Sequence, residues 1–252
     1  MRYLIFLDID ETVMSCGEIH PRTVEGVRRA KESGHKVFIN TGRTFSIIPQ
    51  KLVEELHPDG FVCGIGSNIV IDGKVELSRT FDRELSRRVI DFCFRKKIRT
   101  IIEGENVSVS ILGTSVHTGP ELEVFSFEDM MERFPDIDIG KFTAMRPIKD
   151  SEIPELGDCV SVVNHPRYSE IGLAGCSKAS GMEFVRKKLG IDKDHVIAMG
   201  DSPNDLDMLR AAGIAVAMGN SVDEIKDIAN FVSIPCNEGG VGYAIEKIIF
   251  KE

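Results

Sequence analysis

Two aspartates and a threonine, Asp8, Asp10 and Thr12, alternate with other residues directly after a short apolar run near the start of the chain. The run, residues 3–7, is rich in β-forming residues and predicts a buried parallel strand. Because side chains on an extended backbone alternate between two faces, the three polar residues can share one face at the strand end. Open α/β sheets bind ligands at this end of their strands, although acidic residues also end strands because they favour turns.

A second acidic group, Asp201 and Asp205, follows another predicted strand, residues 195–199, near the far end of the chain. Together with Asp8 and Asp10, these residues would place four carboxylates in one cleft, where they would repel each other strongly without a cation. Magnesium prefers carboxylates together with backbone oxygens and water. The sequence therefore predicts a Mg²⁺ site built from the two ends of the chain.

The same acidic segment has an ordinary structural interpretation as the start of a helix. Ser202 is suited to the N-cap position and Pro203 to the first turn, and acidic residues there are favoured by the helix dipole. This interpretation explains part of the choice of residues in this segment. It does not explain why a second acidic group follows a strand, as Asp8 and Asp10 follow the first strand.

Two further strand ends carry groups suited to an anion. Lys178 lies in the first turn of a predicted helix, where a cation opposes the helix dipole unless an anion is near. Thr41 and Gly42 offer a hydroxyl and a backbone N–H at another helix start. Each also has an ordinary structural interpretation: Lys178 as a surface lysine, and Thr41 and Gly42 as a common strand-to-helix turn.

Together these groups suit phosphoryl transfer. A carboxylate that attacks phosphorus gives an aspartyl-phosphate, and a second carboxyl two residues on can protonate the leaving alcohol and then deprotonate water. A cation and a lysine would neutralise charge on the equatorial oxygens.

The elements that must position these groups alternate between strand and helix, which predicts an α/β fold with a doubly wound parallel sheet, a Rossmann-like core. Between them, helical patterns and clustered strands predict an inserted α+β domain. We expect the core at residues 1–81 and 168–252 and the insertion at 82–167. The core strands are predicted at 3–7, 36–40, 61–63, 69–71, 74–77, 195–199 and 214–217, with residues 170–173 leading into the resumed α/β pattern. The core helices are predicted at 21–32, 45–56, 178–189, 203–211, 222–229 and 239–250. The insertion is predicted to hold helices 82–97 and 127–134 and strands 98–103, 107–112, 142–145 and 159–163.

The composition narrows the class of protein. A chain of 252 residues with 42% hydrophobic and 28% charged residues is typical of a globular protein, and its net charge of −9 argues against a nucleic-acid or anionic-membrane binder. The six cysteines form no C-x-x-C pair, which favours a reducing compartment over disulfides or zinc. Because no secretory pattern or membrane-length apolar run is present, we expect a cytoplasmic protein. The sequence gives no indication of oligomeric state.

In these residues the chain resembles the haloacid dehalogenase superfamily and, within it, the Cof-like phosphatases with a type IIB (C2B) cap. All four family motifs occur in order and cover the α/β part from end to end. They are residues 8–12 (Asp-Ile-Asp-Glu-Thr), residues 41–43 (Thr-Gly-Arg), Lys178 with Gly181, and residues 200–205 (Gly-Asp-Ser-Pro-Asn-Asp).

The resemblance implies a Mg²⁺-dependent phosphatase with a mobile inserted cap that acts on a small-molecule phosphomonoester. It implies that Asp8 is the nucleophile and a Mg²⁺ ligand, and that Asp10 is the acid/base and binds Mg²⁺ through its backbone carbonyl. It also implies that Asp201 is a Mg²⁺ ligand and that Asp205 supports the metal or its water.

The resemblance also implies where phosphate is held. Thr41 and Lys178 are expected to bind the phosphate. Gly42 and Arg43, in the same loop as Thr41, are expected to bind it as well. Asn204 is similar to a family residue that lies near the phosphate. The predicted partner is a phosphorylated small molecule such as a sugar phosphate, phosphoglycolate or a phosphorylated cofactor.

Two positions depart from the family pattern. Glu11 stands where the family usually has glycine, and it adds a negative charge near an anion site. The subclass tends to have Asn-Gly-Ala after the third strand, where this chain reads Gly66-Ser67-Asn68, so a substrate role for Asn68 is not expected. Four residues of the insertion are candidate substrate contacts, although surface placement is favoured for each: Arg99, His117, Arg133 and Arg146.

Three alternatives stay open from the sequence. A phosphosugar mutase of the phosphomannomutase kind would return the phosphoryl group to sugar instead of water. A signalling receiver domain also uses an acidic cluster with a threonine and a lysine, but the length and the insertion count against it. A non-catalytic protein that binds a phosphorylated ligand is hinted at only by Glu11.

Overall fold

The computed structural model describes residues 2–113 and 118–252, and its internal contacts divide the chain into two compact units. The first, which we call the α/β unit, comprises Met1–Gly42, Ile48–Glu76 and Ser177–Glu252. The second, which we call the antiparallel unit, comprises Arg43–Ile47 and Leu77–Cys176. The insertion predicted over residues 82–167 lies within the antiparallel unit.

The helices and strands are numbered in the order in which they occur along the chain. The first stretch of the chain forms β1 (Leu4–Leu7), β2 (Met14–Ser15), β3 (Glu18–Ile19), α1 (Pro21–Glu32), β4 (Lys36–Asn40), α2 (Gln50–Leu56), β5 (Gly60–Cys63), β6 (Asn68–Ile71) and β7 (Lys74–Ser78). The middle forms α3 (Arg83–Arg95), β8 (Thr100–Gly104), β9 (Ser108–Ile111), α4 (Phe127–Arg133), β10 (Ile139–Ala144), β11 (Val160–Asn164) and β12 (Ser169–Leu173). The last stretch forms α5 (Lys178–Leu189), β13 (Val196–Gly200), α6 (Leu206–Ala211), β14 (Ile214–Ala217), α7 (Asp223–Ile228), β15 (Phe231–Val232) and α8 (Gly240–Ile245). Within the two described ranges, no helix has the length and apolar character that crossing a membrane requires.

The α/β unit is built on an eight-stranded sheet with the order β15-β14-β13-β1-β4-β5-β6-β7. The strands from β15 to β5 pair in parallel, and β6 runs antiparallel to β5. All four residues of β1 are buried, as a strand covered on both faces requires. The predicted α/β fold is confirmed, and the central place of β1 brings its carboxyl end between those of β4 and β13.

The strands predicted at residues 69–71 and 74–77 are neighbours in the sheet and form a hairpin around Asp72-Gly73. Both turn residues have positive φ, 46° at Asp72 and 76° at Gly73, as a type I′ turn requires. The turn joins β6 to β7 at the edge of the sheet.

Three helices predicted for the core are interrupted. The helix predicted over residues 45–56 is a 3₁₀ turn at Phe45–Ile47 followed by α2, because Pro49, which has no backbone N–H to donate, stands between them. The helix predicted over residues 203–211 likewise opens with a 3₁₀ turn, Pro203–Asp205, and the last helix ends in a π-helical turn, Glu246–Phe250. Three strands of two residues each, β2, β3 and β15, were not predicted, since so short a segment shows no alternation.

The antiparallel unit contains a five-stranded sheet with the order β11-β12-β10-β8-β9. One face of this sheet forms an apolar core with α3 and α4, and its members include Phe92, Phe142 and Ile171. β12 lies between β10 and β11 and is antiparallel to both, instead of leading into the α/β pattern as predicted. Its pairing with β10 depends on residues distant in sequence, such as Thr143 for Glu170, which local periodicity cannot show.

Candidate active site

Asp8 is positioned by the central strand of the α/β sheet. It follows β1 directly, and its backbone N–H continues the parallel ladder by donating to the Met199 carbonyl at 3.1 Å. The side chain is only 4% exposed. The strand therefore holds the carboxylate rigidly at the end of the sheet where α/β folds bind ligands.

Asp201 and Asp205 are held in a loop after the neighbouring strand, β13. Asp205 Oδ2 accepts hydrogen bonds from the backbone N–H groups of Asp201 (3.0 Å) and Ser202 (3.2 Å). A Cβ at Gly200 would lie 2.5 Å from Asp205 Cγ, so only glycine allows the loop to fold over this carboxylate. The helix-start interpretation of this segment and the site interpretation are both consistent with this geometry.

Carboxylates from the two ends of the chain meet. One carboxylate oxygen each of Asp8, Asp201 and Asp205 lies within 4.8 Å of the others. Thr12 Oγ1 donates to Asp201 Oδ1 at 3.2 Å, so the predicted face of the first motif also reaches the last one. We call Asp8, Asp201 and Asp205 the carboxylate cluster.

Lys178 is the cation of the cluster. Its side chain is buried, and Nζ donates to Asp8 Oδ1 at 2.7 Å and to Asp205 Oδ1 at 2.6 Å. The predicted conflict between a lysine and the start of α5 is thus resolved by two carboxylates.

Gly181, one turn after Lys178, allows α5 to pack closely against Val62 of β5 and against Gly66. A Cβ at position 181 would lie 2.4 Å from Val62 Cγ1 and 3.2 Å from the Cα atom of Gly66. A larger residue would therefore push the amino end of α5, and Lys178 with it, away from the sheet.

Burial and mutual repulsion raise the pKa values of two carboxyl groups of the cluster, those of Asp8 and Asp201. Burial, together with the charges of Asp205 and Asp201, raises the pKa of Asp8 to about 8 even though Lys178 opposes the shift. Burial and the Asp205 charge raise the pKa of Asp201 to about 7. Burial alone would lower the pKa of Lys178, but Asp205 and Asp8 raise it above its usual value.

Asp10 lies outside the carboxylate cluster. Its side chain is exposed, and its backbone forms a bridge with that of Met14.

The remaining predicted phosphate contacts are distributed along the chain. Thr41 is buried after β4, where its N–H donates to the Val62 carbonyl at 2.9 Å, and Gly42 beside it is also buried. Asn204 Oδ1 accepts from Ser202 Oγ at 2.6 Å, which leaves the amide nitrogen as its donor end. Arg43 belongs to the antiparallel unit, where Nη1 donates to the Ile47 carbonyl at 3.1 Å.

Asn40 is a site residue that sequence reasoning missed. It is fully buried at the end of β4, and Nδ2 donates to the Lys178 carbonyl at 2.9 Å. Its Oδ1 has no hydrogen-bond partner within the described residues, and neither have Ser67 Oγ and Asn68 Oδ1, both buried. A polar residue that ends an otherwise apolar strand beside Thr41 was the available signal.

The backbone at Glu11 has a conformation that suits glycine, the usual residue at this position in the family that the chain resembles. Its φ is 57°, in the left-handed region that glycine adopts without strain. The exposed carboxylate accepts hydrogen bonds from Ser15 Oγ at 3.2 and 3.1 Å, and Asn220 Nδ2 donates to its carbonyl at 2.9 Å.

Of the four substrate-contact candidates in the insertion, Arg99 and Arg133 are exposed and Arg146 pairs with Glu152 at 2.8 Å. His117 lies outside the described residues.

Comparison with known proteins assigns the chain to a family. The family model of haloacid dehalogenase-like hydrolases matches residues 5–245. YkrA of Bacillus subtilis (strain 168), named as a candidate phosphatase, is 30% identical over 258 aligned residues that cover 97% of each chain. YitU of the same organism, named as a 5-amino-6-(5-phospho-D-ribitylamino)uracil phosphatase, is 28% identical over 95% of this chain and 94% of its own. Among solved structures, the subclass IIB sugar phosphatase BT4131 superposes with a TM-score of 0.82 over 97% of this chain and 98% of its own, at 24% identity. The predicted resemblance is confirmed, and this chain belongs to the haloacid dehalogenase-like hydrolases.

Proposed function

We propose that the protein is a Mg²⁺-dependent phosphatase that hydrolyses a small-molecule phosphomonoester through an aspartyl-phosphate on Asp8. The observation that carries the proposal is the carboxylate cluster, which joins the first strand to the Asp201 loop around a buried lysine. Membership of the hydrolase family and likeness to proteins named as phosphatases support the same chemistry.

The cluster fits a magnesium ion. Three carboxylates face one ammonium group, and the raised pKa values of Asp8 and Asp201 indicate that this single cation does not balance their negative charges. Hard oxygen ligands of this kind suit Mg²⁺. Asp8 and Asp201 would hold the ion, with Asp205 supporting it and the Asp10 carbonyl as a further ligand. When bound, Mg²⁺ neutralises negative charge on the phosphoryl group.

The protein groups then account for two chemical steps. Asp8 attacks phosphorus while the bond to the leaving oxygen breaks, and the Asp10 carboxyl gives that oxygen its proton. In the second step the Asp10 carboxylate takes a proton from water, which attacks the phosphorus of the aspartyl-phosphate and releases inorganic phosphate with Asp8 restored.

Five groups are proposed to hold the phosphate. Lys178 supplies positive charge, Thr41 a hydroxyl and Gly42 a backbone N–H. The guanidinium of Arg43 and the amide of Asn204 complete the set as donors.

We further propose that the antiparallel unit serves as the cap of this subclass and selects the substrate. The relatives' names include a sugar phosphatase and a phosphatase of a phosphorylated ribityl compound. A phosphorylated sugar or a similar polyhydroxylated metabolite is therefore the substrate class that we propose for this chain.

Replacing the nucleophile tests the proposal. Asp8→Asn keeps the size of the side chain but removes the attacking charge, so we expect turnover of an aryl phosphate with Mg²⁺ to fall at least about a thousandfold. Asp194→Asn, at an exposed aspartate of the same unit, is the matched control and should retain wild-type turnover. Release of inorganic phosphate in a coupled assay separates hydrolysis from transfer within a sugar. Activity of Asp8→Asn within tenfold of wild type would reject Asp8 as nucleophile.

A further inference from the structure

A short segment, Arg43–Ile47, belongs to the antiparallel unit, although the chain on both sides of it belongs to the α/β unit. It begins immediately after Thr41 and Gly42, the proposed phosphate loop. We call Arg43–Ile47 the strap. Because a peptide bond joins the strap to the loop, whatever fixes the strap limits where the loop can lie.

Hydrogen bonds join the strap to the end of β8 and to the turn that follows it. Three consecutive strap residues each donate a hydrogen bond to one of three consecutive residues, Glu103, Gly104 and Glu105. The pairs are Thr44 Oγ1 to Glu103 Oε2 (3.5 Å), the Phe45 backbone N–H to the Glu105 carboxylate, and Ser46 Oγ to the Gly104 carbonyl (2.8 Å). We call these three contacts the clamp.

The acceptor at the inner end of the clamp is itself fixed. Glu103 is buried, and its Oε1 accepts from Thr143 Oγ1 at 2.5 Å and lies 3.4 Å from Lys141 Nζ. Lys141 Nζ is held in turn by Glu170 Oε1 at 2.5 Å. A buried charge with these partners has little freedom to move, so Thr44 meets a rigid carboxylate.

The turn that presents the Gly104 carbonyl and the strap itself are also constrained. A Cβ at Gly104 would lie 2.7 Å from the Val107 carbonyl oxygen, so the tight turn that presents the Gly104 carbonyl to Ser46 requires glycine. Arg43 Nη1 donates to the Ile47 carbonyl at 3.1 Å and joins the two ends of the strap.

We propose that the clamp positions the phosphate loop, with Thr44, Ser46 and Glu103 as positioning residues that act through Thr41 and Gly42. The role of the loop rests on the proposed function, whereas the clamp rests on the contacts alone. A loosened strap would let the loop sample more conformations and weaken its hold on phosphate in the ground state and the transition state alike.

The test uses the full chain with Thr44→Val and Ser46→Ala combined, which removes two clamp donors with little change in shape. Ser46→Ala alone, at an exposed position, is a milder version for which folding is not at risk. Ser169→Ala is the control, because Ser169 is another hydrogen-bonded serine of the antiparallel unit, whose Oγ accepts from Ile148 N–H at 2.8 Å. Two quantities are measured, backbone hydrogen exchange by mass spectrometry and the steady-state constants for an aryl phosphate with Mg²⁺.

We expect faster exchange in residues 41–47 of both clamp variants. In the double variant KM should rise about three- to tenfold, the loss of one to two hydrogen bonds, while kcat stays within about twofold. Ser169→Ala should change neither quantity.

Unchanged exchange in residues 41–47 of the double variant would show that the clamp does not hold the strap. Faster exchange with an unchanged KM, or an equal KM change in Ser169→Ala, would overturn the positioning role. An inactive wild-type protein would reject the proposed function and the positioning role together, while the exchange data would still decide the clamp.

Discussion

At the level of single residues, Glu11 adopts a backbone conformation that favours glycine. Its φ of 57° costs a residue with a Cβ atom about 1 kcal/mol, and its negative charge helps to raise the pKa of Asp201. We expect Glu11→Gly to be more stable than Glu11→Ala by about 1 kcal/mol in urea unfolding, since both lose the charge and only glycine loses the strain. Equal stability of the two variants would show that this backbone is not strained.

Asp10 carries the proton transfers of the proposed mechanism. Asp10→Asn cannot donate or accept a proton, so we expect kcat to fall about a hundredfold or more while Mg²⁺ still binds, because the proposed ligand is the Asp10 backbone carbonyl. Using an aryl phosphate with a better leaving group should restore the first step only, which pre-steady-state release of the alcohol would show. A wild-type kcat in Asp10→Asn would reject the acid/base assignment.

The proximity of Asp8, Asp201 and Lys178 was the part of the site most accessible from the sequence. Asp8, Asp201 and Lys178 come together because each ends a strand or begins a helix at one edge of a parallel sheet. Asn40 was missed because its hydrogen bond to the Lys178 carbonyl crosses between segments that only the fold brings together.

At the level of secondary structure, α5 delivers Lys178 through close contact at Gly181. Gly181→Ala places a methyl group 2.4 Å from Val62 Cγ1, so we expect a loss of about 1–3 kcal/mol in unfolding free energy although alanine favours helices. Turnover should fall as well, since Lys178 would move from Asp8. Lys187→Ala, at an exposed position of α5, is the control. Wild-type stability and turnover in Gly181→Ala would contradict the close-packing account.

The elements themselves show where local patterns suffice. The Asp72-Gly73 turn was predictable because its conformation depends on two adjacent residues. The placement of β12 was not, because its pairing with β10 joins two segments that are distant in the sequence. Residues 45–47 of the strap form a 3₁₀ turn where a continuous helix over 45–56 was predicted, and the local pattern could not show the hydrogen bonds of these residues to Gly104 and Glu105.

At the scale of the whole molecule, the stability of the metal-free protein should depend on pH. The pKa values of Asp8 and Asp201 are raised to about 8 and about 7, so the folded state binds protons that the unfolded state releases above about pH 4. Each group therefore lowers the unfolding free energy by up to about 1.4 kcal/mol per pH unit until its raised pKa is passed. Urea unfolding of chelator-treated protein between about pH 5 and pH 8 should show this decline.

Magnesium should reverse the decline, because it binds the charged carboxylates of the folded state. We expect the stabilisation by Mg²⁺ to grow as pH rises, and the metal-free Asp201→Asn variant to show a shallower decline than wild type. A metal-free wild-type protein whose stability rises over the same pH range would contradict the charge assignment.

The central claim is that carboxylates from the two ends of the chain share one magnesium ion. Titration calorimetry of the metal-free protein with Mg²⁺ measures this directly, with Asp201→Asn as the test variant and Glu224→Gln, at an exposed acid of the same unit, as the control. We predict one ion per chain for wild type and control, and an affinity at least about tenfold lower for Asp201→Asn. Equal affinity in all three proteins, or no binding to wild type, would contradict the account.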